Sequence, residues 1–167
     1  MTHEDGAPPF VEEAFLHRFV IDVAARRVVE SAPLAALPSD FPALHPAFLG
    51  APARTAFAAG VRAGGGADPI TLFDALIKHD LASGDFTRRP LRPGVLCGDV
   101  AFAPDGGPAD DDGHILLLTH VLEEDRAELL VLDARDITAP PVVTVHIPVR
   151  VPFGFHVEWV PGPLPNW

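Results

Sequence analysis

Nineteen prolines and fourteen glycines interrupt this 167-residue chain, and they exclude most of what a chain of that length can fold into. Proline removes a backbone donor and clashes in a helix interior, and both residues punctuate turns, so long helices have no room. Between the breaks lie short segments rich in apolar and β-branched residues. FLHRFVIDV (15–23) and RVVESA (27–32) read as a hairpin joined by AARR. TAFAAGVR (55–62) and TLFDALIKHDL (71–81) flank the loop AGGGADP, and KHDLASGD reads as strand then turn. GDVAFAP (98–104), GHILLLTHVLEE (113–124), AELLVLDA (127–134) and PVVTVHIPV (141–149) follow, and VPFGFHVEWVP (151–161) reads as a last, core-facing strand. The spacing predicts about nine or ten strands, as in a propeller or a sandwich. The expected fold class is all-β. The exception is SAPLAALPSDFPALHPAFLGAP (31–52), whose prolines predict an extended loop crossing the structure.

Composition narrows the function. Apolar residues make up 48% of the chain and mean hydropathy is +0.22, enough for a packed core rather than disorder. A net charge of −11 argues against nucleic acid or an anionic membrane surface as partner. The single cysteine, Cys97, excludes an internal disulfide framework, suits a reducing compartment, and is expected to act as a small buried hydrophobe. The N-terminal MTHEDGAPPF has no apolar signal-peptide core. No apolar run approaches the roughly 18–20 residues of a membrane span. A cytoplasmic location is expected.

Chemistry-bearing groups are scattered. The eight histidines (His3, His17, His45, His79, His114, His120, His146 and His156) show neither the H-x-x-x-H nor the H-x-H spacing of local metal sites. A histidine bonded to a nearby backbone group is the ordinary expectation for each. The acidic run DGGPADDDGH (105–114) lacks the D-x-D-x-D-G register and the twelfth-position glutamate of a calcium loop, and is expected to be a solvated hairpin turn. AGGGAD (63–68) has no strand–loop–helix phosphate context, and no G-x-S-x-G elbow is present. No catalytic side chain and no substrate-binding residue is identified from the sequence.

The order of the segments nonetheless resembles the C-terminal portion of the carotenoid cleavage oxygenases, the family that includes apocarotenoid and lignostilbene dioxygenases. LHRFVID (16–22) is similar to their L-H-R-W-T-I-D strand, and SDFPALHPAFLGAPARTAFAAG (39–60) to an E-F-P segment followed by G-x-x-x-R-Y-x-Y-x-x-G. LIKHDLASGD (76–85) resembles L-x-K-x-D-L-x-T-G, and CGDVAFAP (97–104) resembles G-E-P-x-F-V-P. DDDGHILLLTHVLEEDRAELLVLDARDI (110–137) follows their E-D-D-G … L-x-V-L-D-A-x-D, and VPFGFHVEW (151–159) their P-x-G-F-H-G-x-W. These motifs span about 15–161 in family order, with 1–14 as an N-terminal tail.

The resemblance implies a partial β-propeller, about the last three blades of a seven-bladed one. It implies a non-haem Fe(2+) held by four histidines, with carboxylates steadying their outer ring nitrogens, and O2 inserted across a conjugated double bond of a carotenoid, apocarotenoid or stilbene. Neutral imidazoles suit Fe(2+), and such carboxylates fix the tautomer. Carried onto this chain, His156 matches one iron ligand. Asp40 and Asp99 match two supporting glutamates, each shortened by one methylene, a reach roughly 1.5 Å less. Val157 replaces the glycine that follows the ligand histidine. The other three ligands fall in family regions upstream of LHRFVID, where this chain has only about a dozen residues. Two readings follow: an iron dioxygenase seen in its C-terminal part, or a non-catalytic remnant or subunit that needs a separate N-terminal chain.

Overall fold

The computed structural model describes residues 14–61, 73–154 and 156–162. The glycine-rich loop 63–68 and Phe155 lie outside the described residues, as do His3 and the rest of the N-terminal tail through residue 13. Nine strands were found: β1 (Phe15–Asp22), β2 (Arg27–Ala43), β3 (Thr55–Val61), β4 (Phe73–Asp80), β5 (Phe86–Pro90), β6 (Val95–Pro104), β7 (Gly113–Val121), β8 (Arg126–Asp133) and β9 (Val143–Ile147). Only two single-turn 3₁₀ segments, Pro46–Phe48 and Leu122–Glu124, accompany them among the described residues. The all-β expectation therefore holds, and no helix is long and apolar enough to cross a membrane among these residues.

All pairings are antiparallel, in the order β1-β2-β3-β4-β6-β7-β8-β9, with β5 attached to β4. The core lies in the middle of this sheet. Alternation in β7 buries Ile115 and Leu117, and β8 adds Leu130 and Leu132. Phe57, Leu76 and Phe102 complete the cluster. The turn after β4 follows from its sequence: Asp80 Oδ1 accepts from the Ala82 and Ser83 amides, and Gly84 takes φ +79°.

Two expectations need correction. Residues 31–43 are not a loop but the second half of β2, which runs for 17 residues. Its first part pairs with β1 and its last part with β3, so each stretch has a sheet neighbour on one side. A missing proline donor is tolerated in that setting, and the fixed φ of Pro33 and Pro38 suits extended backbone. The described residues of 151–161, in contrast, form no strand, and Phe153 and Trp159 are 41% and 43% exposed rather than core-facing. Val151–Gly154 lie on the body without entering its ladder, so apolar alternation alone did not make a strand there.

Candidate metal centre

The candidate site is built where strand irregularities meet the segment that carries His156. In β6, register with β7 breaks between Cys97 and Val100, leaving Gly98 and Asp99 as a bulge. A bulge re-aims a side chain out of the alternation. Asp99 Oδ1 accepts from the Val100 amide at 2.7 Å, and Oδ2 accepts from the Val157 amide at 2.9 Å. The same Oδ2 lies 3.5 Å from His156 Nδ1. The Asp99 side chain is 10% exposed, whereas that of His156 is 83% exposed. The carboxylate is thus set in the body and the imidazole projects from it.

A second irregularity, in the β2–β3 pairing between Asp40 and Ala43, contains Phe41 at φ +54°. A bulky residue in the left-handed region is held there by its surroundings. The Asp40 carboxylate accepts from the Phe41 amide at 2.8 Å. The Phe41 ring meets Phe73 at 5.3 Å and His156 edge-on at 5.8 Å between centroids. Among the sequence-derived residues, the structure brings His156 and Asp99 together. Asp40 reaches this neighbourhood only through Phe41, and its described bond is to backbone. Val157, in the family's glycine position, supplies the amide that Asp99 holds. Phe41 was not singled out from sequence; a left-handed phenylalanine leaves no signature in composition or spacing.

The remaining described histidines do other work. His17 faces Ser31 on the exposed hairpin, and His45 Nδ1 caps the first 3₁₀ turn through the Ala47 amide. His79 is buried beside Ser39, and burial pushes its pKa down. His146 lies 3.2 Å from Glu128. His120 is buried, its pKa lowered chiefly by burial, with Arg150 adding to the effect. Burial also raises the Cys97 thiol to about 12, so it stays protonated and inert, as a buried hydrophobe should. No group of three His, Cys, Asp or Glu able to hold a metal exists among the described residues.

The acidic turn is a hairpin turn but not merely a solvated one. Asp110 accepts from the Arg54 and Thr55 amides, Asp111 holds Lys78 at 2.8 Å, and Asp112 holds Arg135 at 2.8 Å. Its carboxylates tie loops together and form no ring around a cation site.

Residues 2–161 match the family model described as retinal pigment epithelial membrane protein, RPE65. The chain belongs to this carotenoid cleavage oxygenase family. It is 37% identical over 145 residues to the apocarotenoid-15,15'-oxygenase of Synechocystis sp., covering 86% of this chain and 29% of that protein. A carotenoid cleavage oxygenase of Mycobacterium tuberculosis is 35% identical over 127 residues, covering 73% of this chain and 24% of the relative. The crystal structure of cobalt-substituted Synechocystis apocarotenoid oxygenase superposes with a TM-score of 0.74 at 35% identity, over 84% of this chain and 29% of that one. The chain therefore spans less than a third of the length of these carotenoid-oxygenase relatives, and its sheet is a part of their β-propeller. The family is iron-dependent. Among the described residues, His156 stands 3.5 Å from Asp99, and no group of three potential ligands closes a metal site.

Proposed function

We propose that this chain contributes one ligand, His156, to a non-haem Fe(2+) centre of a dioxygenase that cleaves a conjugated C=C bond of a carotenoid, apocarotenoid or stilbene with O2. The observation that carries this reading is the approach of Asp99 Oδ2 to His156 Nδ1, with Val157 held by the same oxygen. A carboxylate on Nδ1 orients the ring and leaves Nε2 as the nitrogen for a metal. Iron would supply O2 activation when bound; this chain's part is to hold the imidazole in place and keep its outer nitrogen engaged. Asp40 supports the same neighbourhood through Phe41. A reducing, cytoplasmic setting suits the free, buried Cys97.

Specific observations favour the second reading of the same chain, a subunit completed by a separate N-terminal chain or a remnant without activity. The described residues offer no three-ligand cluster. The strands at both ends of the sheet also leave apolar side chains exposed, among them Phe19, Ile21, Val143 and Val145. The deciding experiment is iron per chain after anaerobic purification with Fe(2+), for the chain alone and mixed with an N-terminal portion of a relative, each beside His156→Ala. Iron that requires both chains and is lost in the variant supports the shared centre. Iron at the variant's level both in the chain alone and in the mixture leaves the remnant reading.

A further inference from the structure

The described residues of 151–157 make no ladder, yet His156 must stand at a definite place if it ligates a metal. The contacts beside His156 are those of Asp99 and Phe41. Upstream, Gly154 lies close over Gly98, where an added Cβ would meet the Gly154 oxygen at 3.4 Å. The remaining anchor is His120, and neither the metal reading nor the core needs a histidine there.

His120 sits near the end of β7, paired with Leu96 of β6 and Ala127 of β8. On its face of the strand His114, Leu116 and Leu118 are half-buried, and His120 alone is buried, at 4% exposure. What lies on it is the His156-bearing segment. The Phe153 ring is 3.9 Å from the imidazole, centroid to centroid, at 44°. Among the described residues the His120 Nδ1 has no partner, so a leucine at this position would avoid the cost of an unsatisfied buried nitrogen. The imidazole is therefore better explained by what it holds than by core packing.

We propose that His120 is a positioning residue: through the Phe153 ring it fastens the segment that carries His156 to the sheet and so sets where His156 stands. The consequence for a metal rests on the reading of His156 given above; the fastening does not. Phe153 is three residues from His156, roughly 10 Å of extended chain. Without that anchor the ring is steered only by its immediate neighbours.

The test is residue-resolved amide exchange on the full chain without metal, together with the ring-proton resonances of His156. In His120→Ala, exchange at Val157 is expected to rise about ten-fold or more, while Leu117 and Leu130 stay within about two-fold. The His156 resonances should move as the ring leaves the edge of Phe41. His120→Phe keeps an aromatic partner for Phe153 and carries no buried nitrogen, and should restore most of the protection. Unchanged exchange at Val157 in His120→Ala overturns the proposal. So does a uniform rise through β6, β7 and β8 that His120→Phe does not reverse, because His120 would then be a core residue. Fe(2+) binding separates the two ideas. A wild-type chain, with its completing portion, that takes no iron while the exchange pattern holds ends the metal reading and leaves the fastening intact. Iron bound about ten-fold more weakly in His120→Ala supports both.

Discussion

The middle of the sheet and the segment 151–157 are held by different means. Strand β3 pairs with β4, and β7 with both β6 and β8, along most of their lengths, and these strands enclose Phe57, Leu76, Ile115, Leu117 and Leu132 at 0% exposure. The described residues of the segment make no ladder and leave Phe153 and Val157 about two-fifths exposed; the segment is attached by a few side chains reaching out of the sheet. The difference separates stability from placement. Stability rests chiefly on apolar burial, whereas the position of His156 rests on individual contacts from Asp99, Phe41 and His120.

The largest effect expected on this contrast is from Phe57→Ala, which should lower stability by about 3–5 kcal/mol in urea unfolding, since the site is closed on all sides. A loss below about 1 kcal/mol would mean that the middle of the sheet is looser than its burial implies.

Next is Glu128, whose side chain is 3% exposed between Arg92 at 2.9 Å and Arg126 at 2.6 Å. The hydrogen bond from Arg92, reinforced by Arg126 against the opposing effect of burial, holds its carboxyl down at about 2. A depressed folded-state pKa contributes stability that is complete above the ordinary value of 4.5 and is lost as pH falls from there toward 2. The wild type should therefore lose on the order of 2–3 kcal/mol across that window. Glu128→Gln should be less stable at neutral pH and show a flatter acid limb in unfolding followed by circular dichroism.

Lys78→Met comes third. Lys78 Nζ donates to Asp111, to the Ala134 carbonyl and to the Arg135 carbonyl, each within 2.9 Å, and so ties the acidic turn to the end of β8. A cost of about 1–2 kcal/mol in thermal unfolding is expected. A neutral result would show that water replaces the ammonium at no cost.

The smallest global effect, about 0.5–1 kcal/mol, is expected from Asp99→Ala, because the contacts it removes belong mostly to the segment. Its local effect should be large: Val157 exchange should rise while β7 and β8 keep their protection. If stability falls as far as in Phe57→Ala, the two regions are not separable and the contrast fails.

Much of the strand pattern was legible because period-two alternation and turn residues are local. β4, β7 and β8 are found within two or three residues of their expected places. The run through Pro33, Pro38 and Pro42 was misread because the tolerance of a strand for proline depends on which of its edges is paired, and that depends on β1 and β3. The reverse error fell on 151–161, where apolar alternation suggests a strand but the described residues pair with none. Asp99 was legible through its motif, whereas Phe41 and His120 were not. Their roles arise from contacts with residues 115 and 33 positions away, respectively.

By itself, the sequence determined an all-β chain, a membership in the carotenoid cleavage oxygenase family through motifs in order, and the histidine at position 156 as the one to examine. Those properties follow from short-range patterning and from residue identity. The tertiary structure alone decided that β2 continues through its prolines, that bulges turn Asp99 and Phe41 toward the same imidazole, and that His120 lies under Phe153. The physical reason is distance along the chain: ladder pairing, bulges and side-chain contacts join segments tens of residues apart, and no local pattern encodes which partner arrives.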